Sequence, residues 1–346
     1  MKRCIQLAEN GLGTTYPNPL VGSVIVYNNT VIGEGWHRQA GEAHAEVNAI
    51  MSVKDHTLLN KATLYVNLEP CSHHGKTPPC SNLIIEKGIK NVVIGSVDPN
   101  PKVAGKGIEK LQEAGCNVTT AILKEECDYL NRRFFTYHQQ KRPYIVFKWA
   151  QTKDGFIAPN MDQGSLNISE RAPVWISNSH SKQRVHQMRS EEQAILVGTQ
   201  TVLSDNPSLT LRDWQGDHPL RVIIDRSLKI SKKASVLDGT VPTLIITEKE
   251  IENSKNCRYE TARFSENIPN QICAILYRYH VQSLIVEGGS KTIQSFIDSN
   301  LWDEAFVFIG ETTFGEGVAA PTLASEVVRE EHIENDILQL YKNEKT

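Results

Sequence analysis

One histidine, one glutamate and two cysteines near the N-terminus have the residue types and spacing of a catalytic metal site. His44 and Glu46 stand in HAEVNAI, and Cys71 and Cys80 enclose the segment SHHGKTPP. An imidazole and two thiolates supply three ligands, and catalytic zinc keeps its fourth tetrahedral position for water. The sequence therefore predicts one zinc ion per chain, held by His44, Cys71 and Cys80.

Glu46 is the predicted proton carrier of this site. Residues two apart on a regular helix point to different sides, so His44 and Glu46 can serve one site only if the helix begins near Ala43 or His44. Glu46 would take a proton from the attacking water and pass it to a departing amine without binding the metal. Both cysteines lie between a strand end and a helix start, where backbone N–H groups favour the thiolate.

The order His-x-Glu, Pro-Cys and a second Cys is typical of zinc-dependent nucleobase deaminases, which commonly have only two residues between the cysteines. Other interpretations stay open on these residues alone. The thiols could be unrelated buried cysteines, or the zinc could be structural with His73 or His74 as a fourth ligand. The chain could also be a cytidine or tRNA-adenosine deaminase joined to an unrelated nucleotide-binding domain, or a zinc module without catalytic activity.

Composition narrows the class of partner. The 346 residues carry 37 basic and 40 acidic side chains, a formal net charge of −3, and no basic block that would mark a nucleic-acid or lipid surface. Seven cysteines in a long chain are typical of thiols in a reducing compartment. No segment approaches 18 consecutive apolar residues. We therefore expect a cytoplasmic protein with a small-molecule substrate, no nucleic-acid partner and no membrane partner.

Helix and strand patterns alternate over residues 1–142, which predicts a three-layer αβα domain. The Asn28-Asn29 turn should join two strands as a hairpin. Strands are expected at 20–27, 31–36, 62–68 and 91–97, and helices at 2–10, from His44, after Cys80 and at 105–115. Residues 124–140 predict one charged amphipathic helix, which Lys141-Arg142-Pro143 ends.

Residues 143–346 form the second predicted domain. Near-continuous apolar strands between helices are typical of a buried α/β sheet. Those strands are expected at 144–150, 194–198, 221–225, 243–247, 283–289 and 305–310. No G-x-G-x-x-G follows a strand, so a standard Rossmann site is unsupported. VEGGS at 286–290 precedes a helix that could receive a pyrophosphate at its N-terminus, although a plain strand-to-helix turn has the same pattern.

Segments along nearly the whole chain resemble the bifunctional riboflavin-biosynthesis deaminase–reductase family. They are TYPNPLVGSVIV (15–26), GWHRQAGEAHAE (35–46), EPCSHHGKTPPC (69–80), DPNPKVAGKG (98–107), KWAQTKDGFIA, LSDNPSLTLR and VEGG. The long loop between the cysteines is a feature of that family. The resemblance implies an α/β protein with an N-terminal cytidine-deaminase-like domain followed by a dihydrofolate-reductase-like domain.

The resemblance also implies two reactions on phosphoribosylaminopyrimidines. The first removes the 2-amino group of 2,5-diamino-6-(5-phosphoribosylamino)pyrimidin-4-one by hydrolysis, with zinc. The second uses NADPH to reduce the ribosyl unit of the deaminated product, 5-amino-6-(5-phosphoribosylamino)uracil, to a ribityl chain. Proteins of this layout favour a symmetric homo-oligomer.

Site residues follow from the same resemblance, position by position. Asn18 orients the pyrimidine, since its amide both donates and accepts, although a role in the turn between two prolines fits equally. His37 and Lys76 contact the sugar or its phosphate, or are solvated loop residues. The substrate positions of the second domain are Pro173, Arg189, Leu209, Arg212 and Glu287. Its cofactor positions are Ala150, Trp175, Thr201 and Asp205, together with the phosphate turn Gly289, Ser290, Lys291, Thr292, Ile293, Gln294 and Ser295.

Three arginines of the second domain have side chains suited to phosphate. Arg189 and Arg212 could pair with the 5-phosphate of the substrate, because a guanidinium forms two charge-assisted bonds, and surface salt bridges are the alternative. Arg226, just after a strand, is assigned to the 2′-phosphate that distinguishes NADPH from NADH. Hydride transfer requires mainly positioning, so no base is assigned, and Asp205 either assists or belongs to a turn.

Overall fold

The computed structural model describes residues 1–72, 78–100, 104–160 and 175–344. It divides into two compact units, Met1–Lys141 and Arg142–Thr346, one residue from the predicted boundary. Arg142 belongs to the second unit because its guanidinium donates two hydrogen bonds to the buried carboxylate of Asp303. Lys76 and Pro173 lie outside the described residues. Within the described ranges, no helix has the length and apolar character needed to cross a membrane.

The N-terminal unit alternates helices and strands in the predicted order. Its elements are α1 (Lys2–Glu9), β1 (Gly22–Tyr27), β2 (Thr30–Trp36), α2 (Ala45–Ser52), a 3₁₀ turn (His56–Lys61), β3 (Thr63–Leu68), α3 (Cys80–Glu86), β4 (Asn91–Ser96), α4 (Lys106–Glu113), β5 (Asn117–Thr119), α5 (Lys124–Leu130) and α6 (Arg132–Gln140). The strands form one sheet in the order β2-β1-β3-β4-β5. Asn28 and Asn29, with φ angles of 48° and 58°, make the tight hairpin between β1 and β2.

Strand β1 contributes to two cores because successive side chains of a strand point to opposite faces. Ile25 packs with Ala49 and Ile50 of α2 on one face of the sheet. Val24 packs with Cys4 and Leu7 of α1 on the other face. Helices therefore cover both sides of the sheet, and the predicted three-layer fold is confirmed.

The single helix predicted over 124–140 is wrong. The structure has α5 and α6 instead, separated at Asn131, whose ψ of 19° is not helical. The buried Asn131 side chain accepts a hydrogen bond from the Leu20 amide and donates one to the Leu20 carbonyl. These two long-range bonds hold Asn131 in a conformation that the local charge pattern could not indicate.

The C-terminal unit contains all six predicted strands. Its elements are β6 (Tyr144–Thr152), β7 (Phe156–Pro159), α7 (Ser179–Glu191), β8 (Ala194–Gly198), α8 (Thr199–Asp205), β9 (Leu220–Ile224), a 3₁₀ turn (Ser235–Leu237), β10 (Thr243–Thr247), β11 (Cys257–Thr261), α9 (Ile268–Arg278), β12 (Ser283–Val286), α10 (Ser290–Asp298), β13 (Glu304–Gly310), β14 (Gly317–Ala319), β15 (Val327–Ile333) and β16 (Asp336–Lys342). Strands β7, β11, β14, β15 and β16 were not predicted; β7, β11 and β14 are short, and most residues of β15 are exposed.

The main sheet of this unit has the order β11-β10-β9-β8-β12-β6-β13-β16-β15. The strands from β11 to β13 are parallel, and β16 and β15 continue the sheet antiparallel. Leu284 of β12 packs with Phe296 of α10 on one face, and Ile285 packs with Val185 and Met188 of α7 on the other. The carboxyl ends of β9, β8, β12 and β6 therefore meet at one edge, where ligands bind in open parallel sheets.

Candidate functional site

The predicted metal ligands meet at one end of the N-terminal sheet. His44 is the N-cap of α2, Cys71 follows β3, and Cys80 is the first residue of α3. Their ligand atoms all lie within 4.8 Å of one another, and we call these three residues the metal cluster. The predicted helix start near Ala43 or His44 is confirmed, since α2 begins at Ala45.

The spacing of the donor atoms suits tetrahedral zinc. His44 Nδ1 lies 3.6 Å from Cys71 Sγ and 3.3 Å from Cys80 Sγ. Zinc bonds of about 2.3 Å to sulfur and 2.0 Å to nitrogen at the tetrahedral angle imply a sulfur–nitrogen separation of about 3.5 Å. The three donors therefore fit a zinc ion. His73 and His74 lie outside the described residues.

Hydrogen bonds within the metal cluster favour the ligand form of one thiol. The Cys80 thiol donates to Cys71, as does the Cys80 backbone N–H at 3.2 Å, and with His44 these lower the pKa of Cys71 to about 4 despite burial. The same thiol contact raises the pKa of Cys80, and the bond to Cys71 raises the pKa of His44. Binding a metal cation would displace these shared protons, because zinc requires thiolate and neutral imidazole.

Glu46 is buried beside the metal cluster, with 3% of its surface exposed. Burial raises the pKa of its carboxyl to about 7, and the nearby Cys71 sulfur adds to the shift. A carboxyl that titrates near neutral pH can both accept and release a proton under ordinary conditions. This environment suits the proton transfer predicted for Glu46.

Asn18 and His37 form a short hydrogen-bonded chain next to the metal cluster. His37 Nδ1 lies 3.1 Å from the Ala43 carbonyl, which can only accept, so Nδ1 carries the ring proton. His37 Nε2 then accepts from Asn18 Nδ2 at 3.0 Å, and burial lowers the pKa of His37. Both nitrogens of His37 are thus used within the protein, and the Asn18 amide is fixed with Oδ1 as the acceptor.

Three buried charges lie at the carboxyl ends of β6 and β12 in the C-terminal unit. Arg189 of α7 donates two hydrogen bonds to Glu287, from Nε at 2.6 Å and from Nη2 at 2.8 Å. Lys148 Nζ lies 3.9 Å from the same carboxylate. We call Lys148, Arg189 and Glu287 the ion cluster. The predicted substrate positions Arg189 and Glu287 are therefore in direct contact, in a buried pair and not a surface salt bridge.

The loop that carries Leu209 and Arg212 lies against this ion cluster. Arg189 Nη1 is 3.5 Å from the Thr210 carbonyl, Leu209 is buried with φ at 55°, and the Arg212 side chain is exposed. The backbone N–H of Arg212 donates to His186 Nδ1, 3.4 Å away. Four of the five predicted substrate positions of this unit are thus gathered in one region, and the fifth, Pro173, is not described.

Glycines allow the backbone to pack closely at the carboxyl ends of β8 and β12. A side chain at Gly288 would meet Val197 Cα at 2.4 Å, and one at Gly198 would meet Thr292 Oγ1 at 2.6 Å. Gly289 caps α10 with φ at 46°, beside Thr201 Oγ1. Backbone N–H groups at such a helix start attract a pyrophosphate, and no Cβ stands in the way. The structure therefore brings the predicted positions Thr201, Gly289 and Thr292 together.

The other predicted cofactor positions are distributed along the same edge. Ala150 lies near the carboxyl end of β6, and Lys291 to Ser295 form the first turns of α10. Arg226 follows β9, where its Nε donates to Glu248 at 2.8 Å. Trp175 is 59% exposed, with the Lys182 ammonium 3.7 Å from its ring centre. Asp205 is an exposed residue at the end of α8.

Sequence reasoning missed Lys148 and His186. Lys148 interrupts the otherwise apolar strand YIVFKWA, and a lone buried charge in such a run was a usable signal. His186 lies one helical turn before Arg189, so the two share a face of α7. Its contact with Arg212 joins residues 26 positions apart, and no local pattern indicates that pairing.

Comparison with known proteins decides the family. Residues 143–342 match the RibD C-terminal domain, and residues 1–96 match the cytidine and deoxycytidylate deaminase zinc-binding region. The riboflavin biosynthesis protein RibD of Aquifex aeolicus is 40% identical over 336 residues, covering 95% of this chain and 91% of that protein. The chain belongs to the RibD family.

Other relatives extend this result to RibD proteins of known structure. RibD of Escherichia coli is 32% identical, covering 91% of this chain and 88% of that protein. The crystal structure of a diaminohydroxyphosphoribosylaminopyrimidine deaminase/5-amino-6-(5-phosphoribosylamino)uracil reductase from Thermotoga maritima is 40% identical, with a TM-score of 0.87 and coverage of 99% and 97%. Acinetobacter baumannii RibD is 28% identical, with a TM-score of 0.86 and the same coverage. The chain is thus a bifunctional riboflavin-biosynthesis enzyme with a zinc-binding deaminase domain and a reductase domain.

Proposed function

We propose that the N-terminal unit hydrolyses the 2-amino group of 2,5-diamino-6-(5-phosphoribosylamino)pyrimidin-4-one and that the C-terminal unit reduces the deaminated product with NADPH. The observation that carries the first half is the convergence of His44, Cys71 and Cys80 beside a buried carboxyl with a raised pKa. The second half is supported by the glycine turn that starts α10 at Gly289 and by the ion cluster, whose Glu287 lies two residues before that turn. A cytoplasmic location and a homo-oligomeric state belong to the same proposal.

In the deaminase reaction, His44, Cys71 and Cys80 hold the metal and Glu46 moves the proton. Zinc, when bound, lowers the pKa of a coordinated water and supplies a nucleophile near neutral pH. Glu46 would accept a proton from the attacking water and deliver it to the departing amine, so that water is consumed and ammonia is released. Asn18 Oδ1 accepts a hydrogen bond from the ring edge and so orients the pyrimidine, while His37 holds the Asn18 amide.

In the reductase reaction, the residues of the C-terminal unit mainly position the two reactants. NADPH, when bound, would supply a hydride to C1 of the ribosyl unit, while the bond between C1 and the ring oxygen breaks and that oxygen takes up a proton. The α10 N-terminus from Gly289 to Ser295 receives the pyrophosphate, and Arg226 faces the 2′-phosphate. Ala150, Trp175, Thr201 and Asp205 complete the proposed cofactor contacts.

The substrate side of the reductase site is formed by the ion cluster and its adjoining loop. Arg212, whose guanidinium is exposed, is the better candidate for the 5-phosphate. Arg189 instead uses Nε and Nη2 to hold Glu287. Pro173 in this half and Lys76 in the deaminase half are substrate contacts by family position.

Ammonia release from the diaminopyrimidine, measured with and without a chelator, tests the deaminase half. We expect release that stops on chelation and returns with added zinc. NADPH absorbance with the deaminated ribosylaminouracil phosphate tests the reductase half. Ammonia release that is unaffected by complete zinc removal would contradict the first assignment, and NADPH oxidation no faster than background would contradict the second.

A further inference from the structure

We infer that Glu69 is a positioning residue of the deaminase site, which clamps the chain segment carrying Cys71 to the start of α4. Glu69 comes directly after β3 and two residues before Cys71. It is 4% exposed, yet the mechanism proposed above does not use it. The inference rests on the proposed zinc site.

The Glu69 carboxylate accepts hydrogen bonds from four backbone N–H groups. Oε2 accepts from Asp98 at 3.2 Å and from Gly105 at 3.0 Å. Oε1 accepts from Gly107 at 2.8 Å and from Ile108 at 3.3 Å. An ionised carboxylate has about four acceptor positions, so these four donors fill it. Glu69 has no acceptor left for a substrate, which assigns it to positioning and not to catalysis.

The other end of the same residue is fixed to the sheet. The Glu69 backbone N–H donates to the Ser96 carbonyl at 2.9 Å, which extends the pairing of β3 with β4. Pro70 then leads to Cys71, and its ring restricts φ, so little freedom separates the clamped residue from the ligand. The position of the Cys71 sulfur therefore depends on where the Glu69 side chain is held.

A second close contact joins the same two segments without using the carboxylate. A side chain at Gly107 would bring its Cβ within 2.1 Å of the Pro70 carbonyl oxygen. The first turn of α4 can thus approach the ligand segment only because residue 107 is glycine. Glu69 and Gly107 therefore both hold this junction together, Glu69 by its hydrogen bonds and Gly107 by its close approach to the Pro70 carbonyl.

This junction gives a role to DPNPKVAGKG, a family-like motif to which none of the predicted site residues belongs. Its described residues Asp98, Gly105 and Gly107 supply three of the four amides that Glu69 binds. The motif EPC and the motif DPNPKVAGKG are thus two halves of one contact. Removing outer partners of metal ligands typically weakens metal binding by roughly 10- to 100-fold.

The test compares zinc binding by the full chain and its variants, measured by competition with a chromogenic chelator. Glu69→Gln keeps the size of the side chain but places an NH₂ group against two backbone N–H donors. Gly107→Ala separates the same junction while the Glu69 carboxylate keeps its charge and its size. Asp55→Asn is the matched control, because Asp55 also accepts a backbone N–H, that of Thr57, in the same unit but outside this junction. Cys71→Ser reports the loss of a ligand itself.

We expect zinc dissociation constants raised roughly 10- to 100-fold in Glu69→Gln and Gly107→Ala, and unchanged in Asp55→Asn. Saturating zinc should return the deamination rate of both variants toward the wild-type rate, because the ligands and Glu46 are intact. NADPH oxidation by the second unit should not change, which shows that this unit is folded, and the return of deamination with zinc shows the same for the first unit. If Glu69→Gln does not accumulate, Gly107→Ala carries the test with the same outcomes.

Wild-type zinc affinity in Glu69→Gln or Gly107→Ala, with binding lost in Cys71→Ser, would overturn this inference and leave the proposed zinc site standing. An equal loss in Asp55→Asn would also overturn it, since the effect would then be general destabilisation. A wild-type chain that binds no zinc would overturn both the site and the inference.

Discussion

The metal cluster of the N-terminal unit and the ion cluster of the C-terminal unit balance the charges of their buried groups in different ways. In the metal cluster two sulfurs, an imidazole and the neighbouring Glu46 share protons, and among the described residues no lysine or arginine contributes to the pKa shifts of Glu46 and Cys71. In the ion cluster Arg189 and Lys148 surround one carboxylate, Glu287. Burial alone would raise the pKa of Glu287, but Arg189 and then Lys148 hold it below its ordinary value.

The two clusters therefore differ in the source of the positive charge that balances their anions. The metal cluster requires a metal cation from solution. The ion cluster contains its own cations, Arg189 and Lys148, which exceed the single carboxylate of Glu287 by one positive charge. A surplus positive charge at a strand edge suits a phosphorylated substrate. The two reactions should therefore respond to different perturbations although they belong to one chain.

The largest expected effect comes from removing the metal or one of its ligands. Chelation, or Cys71→Ser, should abolish ammonia release and leave NADPH oxidation unchanged, because only the proposed deaminase reaction uses the metal. The two rates are measured on the same preparation. Parallel loss of both activities would show that the sites are not independent in this respect.

Glu46→Gln should lower the deamination rate by roughly 10²- to 10⁴-fold, the usual contribution of a general acid–base group. Zinc content, measured by elemental analysis, should stay the same, since Glu46 is not a ligand in the proposed site. Full residual deamination in a zinc-loaded variant would remove Glu46 from the mechanism.

Glu287→Gln should destabilise the C-terminal unit by about 3–5 kcal/mol, because it leaves Arg189 and Lys148 buried without their anion. Thermal or denaturant unfolding, followed together with NADPH oxidation, measures this. Glu266→Gln is the control: its partner Arg263 is exposed, and such pairs contribute about 0–1 kcal/mol. Equal stability of the two variants would mean that the ion cluster contributes no more than a surface pair.

The two clusters should also give opposite dependences of stability on pH. The pKa of Glu287 lies below its ordinary value of 4.5, so its stabilising contribution is present above that pH and is lost as the pH falls. The pKa of Glu46 in the metal-free protein is raised to about 7, so its contribution to stability falls as the pH rises from 4.5 toward 7. Comparing melting temperatures of wild type with Glu287→Gln and with metal-free Glu46→Gln isolates each slope. Slopes of the same sign would contradict the comparison.

The smallest effect is expected at Arg226, which belongs to neither cluster. Arg226→Ala should weaken NADPH binding by about tenfold, the lower range for a charge-assisted hydrogen bond, and leave NADH binding unchanged. Fluorescence titration with the two cofactors measures this. An equal effect on both would show that Arg226 does not read the 2′-phosphate.

The metal cluster was predictable because its residues are close in the sequence and lie at element ends. His44 could be placed as the start of α2 from its distance to Glu46 alone, and the structure confirms that start. Strand and helix patterns likewise predicted the α/β class of both units. Local periodicity carries this information because it depends on residues only a few positions apart.

The ion cluster was not predictable as a contact. Lys148, Arg189 and Glu287 come from β6, α7 and the end of β12, and they meet because β12 pairs with β6 in the sheet. Strand order depends on long-range packing that a single sequence pattern does not contain. The break between α5 and α6 at Asn131 was not predicted for the same reason, since Asn131 bonds to Leu20, which lies on a distant segment.

The hydrogen bonds that link the Ala43 carbonyl, the His37 ring and the Asn18 side chain fix the orientation of the Asn18 amide. Since its nitrogen is committed to an imidazole lone pair, turning the amide over would set an oxygen against that lone pair. An aspartate there would differ by a single heavy atom, yet it would force the buried ring to take up a proton. Which atom of the Asn18 amide is left to accept a hydrogen bond therefore depends on the imidazole of His37 as well as on the amide itself.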